Sequence, residues 1–114
     1  MTIELFKGHD AFDREVEAFQ SSRTAVFTAL IEELVPAVAN PDKADFARVF
    51  RHAQSVLGKS DLQFSHLFKV SRPTVGRWSR GVTAPHPLLQ KAVYETLLAE
   101  TKLALRTFRQ PASA

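Results

Sequence analysis

The most constraining feature of this sequence is a pair of helix starts set too close together to allow long helices. Ser60-Asp61-Leu62-Gln63 forms a capping box, a serine cap followed three residues on by glutamine. It predicts a short helix from Asp61 to Phe68. Lys69-Val70 then leaves room only for a tight turn. Ser71 caps the next helix, Pro73 is tolerated in its first turn, and Gly81 ends it. Two helices of about eight to ten residues are not stable alone and need a third to pack on. The stretch Lys43–Leu57 supplies one: Phe46, Val49, Phe50, Ala53, Val56 and Leu57 recur at helical spacing, and Gly58 stands where a left-handed residue stops a helix.

The rest of the chain repeats the helical period, with no run of two-residue alternation, so the expected fold is all-α. A first helix is expected from Ala11 to Val35, with Phe12, Val16, Phe19, Val26, Leu30 and Leu34 as its stripe. Pro36 should end or kink it, and Asn40-Pro41-Asp42 reads as a turn. Pro85 and Pro87 mark an irregular link. A last helix follows from Leu88 to Phe108, with Leu89, Ala92, Val93, Leu97 and Leu105 on its apolar side. The tail, residues 110–114, should fray. With 114 residues, 45% of them hydrophobic, the chain suffices for one compact domain. The reading divides it into an N-terminal helical extension, residues 1–42, and a helix-turn-helix unit with its C-terminal helix, residues 43–114.

Charge follows the same division. Residues 1–42 carry three basic and eight acidic groups; residues 43–114 carry twelve basic and four acidic. A basic portion beside an acidic one suggests a polyanion for the basic part. There is no cysteine, no apolar signal core at the N-terminus and no stretch near the ~20 apolar residues of a membrane span, so a cytoplasmic protein is expected. His9, His52, His66 and His86 lack the spacing of a metal site, and no Gly-rich phosphate loop or nucleophile motif is present. Asp10, Asp13, Glu15 and Glu17 lack the glycine and spacing of a calcium loop. The expectation is no catalytic residue, no metal and no cofactor.

On a wheel of roughly 100° per residue, Arg72, Pro73, Gly76, Arg77 and Arg80 fall on one arc of the second short helix. Val75 and Trp78 fall on the other and should be core. Three arginines and no acid suit the major groove, where arginine donates two parallel bonds to guanine. An exposed glycine inside a helix costs roughly 1 kcal/mol against alanine, and close approach to bases is a reason to keep it. Lys43, Arg48 and Arg51 read as an ordinary solvated face.

The segment SDLQFSHLFKVSRPTVGRWSRGVTAP resembles the Cro/lambda-repressor-like (XRE-type) helix-turn-helix family, over about Val49 to Leu98. Phe64 and Phe68 stand for the first helix's buried aliphatics, Ser65 for the small residue where the helices touch, and Val70-Ser71 for the end of the turn. Val75 and Trp78 stand for the buried pair of the recognition helix, and Gly81 and Pro85 for the residues that follow it. The turn position, commonly glycine in the family, is Lys69; Ser79 stands where many members have an acid. The resemblance implies a DNA-binding transcription regulator, repressor or activator, of bacterial or phage type. It implies base contacts from Arg72, Pro73, Gly76, Arg77 and Arg80. Backbone contacts are expected from Lys59, Ser60, Gln63, Lys69, Ser71, Thr74 and Thr83.

One short helix reads few base pairs, so a homodimer reading two half-sites is expected, through the first or the last long helix, with the first favoured. The partners expected are a double-stranded DNA operator, a second copy, and RNA polymerase or another regulator. The competing reading is a helix-turn-helix used as a protein-interaction module, such as an antitoxin or adaptor.

Overall fold

The computed structural model describes the backbone of residues 2–109 and the side chains of residues 11–109. Among these, the chain is all-helical: α1 (Thr2–Ala39), a 3-10 turn (Pro41–Lys43), α2 (Phe46–Leu57), α3 (Asp61–Phe68), α4 (Arg72–Arg80) and α5 (Pro87–Arg109). No described helix is long and apolar enough to cross a membrane. The expected fraying of residues 110–114 lies outside the described residues.

One core joins both parts of the chain. Phe27, Leu30, Leu34 and Ala37 from α1 are buried with Phe46, Val49, Phe50, Ala53 and Val56 from α2, Phe64 from α3, Val75 and Trp78 from α4, and Val93, Tyr94 and Leu97 from α5. Phe50 is the hub. Its ring lies 5.3 Å from Phe46, 5.2 Å from Phe64, 5.8 Å from Phe68 and 5.7 Å from Trp78, centroid to centroid. The pairs with Phe64 and Trp78 are edge-to-face and that with Phe46 is stacked; aromatic pairs are worth about 0.5–1.5 kcal/mol each beyond the area they bury. They tie α2, α3 and α4 into one unit.

The structure departs from the sequence expectation at both ends of α1, which starts at Thr2 instead of Ala11, at the start of α2, and in the face that α5 buries. Pro36, expected to end or kink the first helix, lies inside α1, which runs on to Ala39 past the expected end at Val35. A mid-helix proline costs about 3 kcal/mol or more, but Leu34 and Ala37 on either side are buried, and Asn40 N donates to Pro36 O at 2.9 Å to close the last turn. Core burial on both sides of the proline outweighs the lost bond. Second, α2 starts at Phe46 instead of Lys43, because Pro41–Lys43 forms the 3-10 turn and Asp45 is the cap, accepting from Arg48 N at 3.3 Å. Third, α5 turns Val93, Tyr94, Leu97 and Thr101 inward, while Leu89 and Ala92 are exposed. Thr101 is tolerated there because its hydroxyl donates to Leu97 O at 2.7 Å.

The apolar stripe of α1 is only half used. Leu30 and Leu34 are fully buried, whereas Phe12 is 63% and Phe19 60% exposed. α5 packs antiparallel on α1, and Phe108 near its end meets Phe19 at 6.2 Å and Phe27 at 6.0 Å. From there towards its N-terminus α1 runs past α5. The long axis of the molecule is accordingly 64 Å and its radius of gyration 18.1 Å, against about 13 Å for a compact chain of similar length. Arg23 closes the covered half. Its guanidinium donates to Val56 O at 3.1 Å, near the C-terminal end of α2, and lies over the Phe27 ring at 4.9 Å. A cation at that end of a helix offsets the unpaired carbonyls.

Tyr94, the one tyrosine of the chain, is fully buried and its hydroxyl has no hydrogen-bond partner. Burial first, and the charge of Asp45 second, raise its pKa to about 12. The folded state therefore holds the phenolic proton more tightly than the unfolded chain. Stability should be intact below pH 10 and fall as pH rises from there towards 12. A tyrosinate absorbance titration should show the raised midpoint, and Tyr94→Phe should flatten the alkaline loss of stability in urea unfolding.

Candidate nucleic-acid interface

The candidate surface is built on α4, and α4 is held entirely from behind. Val75 is fully buried, and Trp78 packs edge-to-face on Phe46 at 5.8 Å and Phe50 at 5.7 Å. Arg51 of α2 donates to Ser79 O at 2.8 Å, capping a carbonyl in the last turn. The sequence placed Arg51 on a solvated face with Lys43 and Arg48; it is exposed, yet it also pins α4. Arg48 lies 3.8 Å from Glu33 of α1. Glu33 also pairs with His52 Nδ1 at 2.7 Å, joining α1 to α2.

The caps follow the sequence. Ser60 Oγ accepts from Gln63 N at 3.2 Å, and Gln63 Oε1 accepts from Ser60 N at 2.8 Å. Ser71 Oγ accepts from Thr74 N at 3.2 Å. Between them, Lys69 adopts φ 57° and ψ 45°. Only this non-glycine residue among those described has a positive φ. A left-handed backbone costs a side-chain-bearing residue roughly 1–2 kcal/mol. Val70 N donating to Ser65 O at 3.0 Å fixes the turn despite that cost. Ser65 is buried, its hydroxyl donating to Leu62 O at 2.6 Å.

The outer face of α4 gathers all five of the expected base-contacting residues. Arg72, Pro73, Gly76, Arg77 and Arg80 line one shallow depression of about 440 Å³, joined by Asp61 from the first turn of α3. Arg72, Pro73, Arg77 and Arg80 are exposed. Gly76 differs from the expectation of an exposed glycine: it is buried, as the floor beneath Arg80, whose Nη1 lies 3.0 Å from where a Cβ would stand. Arg77 is steadied along the helix. Its Nη2 donates to Thr74 Oγ1 at 3.3 Å, and that hydroxyl pairs with Ser71 Oγ at 2.7 Å. Ser71 and Thr74, expected on the DNA backbone, thus already serve as cap and brace.

The remaining expected contacts are spread more widely. Ser60 and Gln63 sit at the exposed start of α3, Lys69 in the exposed turn, and Thr83 in the link after α4. Lys59 is apart from the arginines, lining a different depression with Phe27, Glu100, Leu103 and Phe108. Asp61 was missed in the sequence because an acid in a first helical turn is ordinarily read as serving the helix dipole. Here Gln54 Nε2 donates to its Oδ1 at 2.8 Å, anchoring the one carboxylate of the depression. Among the described residues no cluster of histidine and carboxylate could hold a metal. Comparison with protein-family models, curated proteins and solved structures finds no match to this chain.

Two stability changes follow. Gly76→Ala meets only the mobile end of Arg80, so the helix should gain up to about 1 kcal/mol in chemical denaturation. Lys69→Gly should gain about 1 kcal/mol by relieving the left-handed turn.

Proposed function

We propose that this protein binds a specific double-stranded DNA sequence by inserting the outer face of α4 into the major groove, and acts as a small transcription regulator of bacterial or phage type. The observation that carries the reading is the set of three arginines, Arg72, Arg77 and Arg80, around the Gly76 floor of one nine-residue helix. The major groove is about 12 Å wide and admits one helix. With no side chain on Gly76, α4 can approach the base edges closely once Arg80 swings off it. Arg77, braced by Thr74, is preset to donate to guanine O6 and N7.

The other contacts would hold the register. Ser60 and Gln63 at the start of α3, and Ser71 at the start of α4, offer helix N-termini to phosphates. Lys69 and Thr83 flank the recognition helix in sequence and add a cation and a hydroxyl. Asp61 would exclude some bases and accept from a cytosine amino group. The two short helices α3 and α4, joined by the tight turn at Lys69, support the resemblance to the Cro/lambda-repressor-like type. A DNA-bound regulator of this kind works in the cytoplasm, at the nucleoid, by blocking RNA polymerase or touching it.

The test is selection of sites from random DNA by the purified protein, followed by anisotropy titration of the recovered sequence at two salt concentrations. One enriched motif is expected. Arg77→Ala should cost about 1–3 kcal/mol and relax one base position, whereas Lys69→Ala should weaken all sequences alike and lower the salt slope by about 1. No enriched sequence, with binding lost at physiological salt, would overturn the reading in favour of a protein-interaction module.

A further inference from the structure

The stripe Phe12–Val16–Phe19 lies on the same face of α1 as the buried Leu30 and Leu34, three and four residues apart along one line. It is therefore the continuation of the core face, past the point where α5 ends beside Phe19. Nothing described in this chain covers it.

We infer that the cover is a second copy of this chain, the two α1 helices crossing antiparallel about a two-fold axis near Val16. The stripe is self-complementary under that symmetry: Val16 meets its own copy and Phe12 meets the other chain's Phe19. Charge selects the same occupant. Positions 2–18 of α1 hold five acidic residues against two basic, and the last twelve positions of α5, 98–109, hold Lys102, Arg106 and Arg109 against Glu100. Lys102, Arg106 and Arg109 are exposed. An antiparallel partner runs its acidic end alongside the basic end of α5, and the two-fold axis makes that pairing twice. Two copies of α1 in parallel would set acid against acid instead. The interface stands on α1 and the end of α5 alone, so it holds whether or not α4 reads DNA.

Sedimentation velocity and light scattering on the full chain should give twice the chain mass at micromolar concentration. Phe12→Glu and Val16→Glu each change an exposed position, so helicity and thermal unfolding should persist while self-association weakens at least about tenfold, roughly 1.4 kcal/mol. Paired Arg106→Glu and Arg109→Glu should weaken it as well, and added salt should loosen the native dimer. A strict monomer at about 100 µM, far above the Kd of a specific interface, would overturn the inference. So would a dimer that ignores Phe12→Glu and Val16→Glu. The DNA reading is scored separately, by whether Phe12→Glu still binds a single half-site: retained half-site binding with lost dimerisation supports both, and a dimer that selects no DNA sequence supports the interface while α4 loses its assigned role.

Discussion

Phe50 is the contact on which the rest of this structure depends. Four aromatic rings meet it, from α2 itself, both ends of the buried face of α3, and α4. Helices of eight and nine residues have little intrinsic stability. They persist because α2 offers a rigid aromatic wall on which both can close. α1 and α5 then seal that unit, α1 through Leu30 and Leu34, and α5 through Val93, Tyr94 and Leu97. Removal of the Phe50 ring would open a void shared by three helices at once, the most costly kind of core change.

The outer face of α4 is a product of this arrangement. Every fixing contact of the helix lies on its inner side or at its ends: Val75, Trp78, the Ser71 cap, and Arg51 on Ser79 O. The charge of three arginines on one helix is tolerated because their heads stay in water and no apolar partner has to be left to keep them there. Asp61, anchored by Gln54, offers the only carboxylate in their depression.

Local sequence rules were enough for the parts governed by local chemistry. Ser60 with Gln63, Ser71, Gly58 and Gly81 are caps whose geometry depends on neighbours within four residues, and all four sit where the sequence places them. The inward turn of Val75 and Trp78 follows from periodicity alone. What periodicity could not supply was competition between distant segments. Pro36 continues α1 because Ala37 finds a place in a core built by residues far along the chain. Tyr94 and Thr101, polar by type, take the inward positions of α5 in preference to Leu89, because the rotation of α5 is set by its packing on α1 and, through Tyr94 against Phe46, on α2. The role of Arg51 at Ser79 and the cover of Gly76 by Arg80 depend on rotamers, which no residue pattern records.

The separation between what holds α4 and what α4 displays has an evolutionary meaning. Arg72, Pro73, Arg77 and Arg80 contribute almost nothing to the core. Such positions are free to drift at small energetic penalty, since surface exchanges away from caps and cores usually change stability by no more than about 0.5 kcal/mol. The scaffold is therefore a socket with interchangeable teeth: under the proposed function, descendants could acquire new targets through a handful of exchanges on one face of one helix, while inheriting the same architecture untouched.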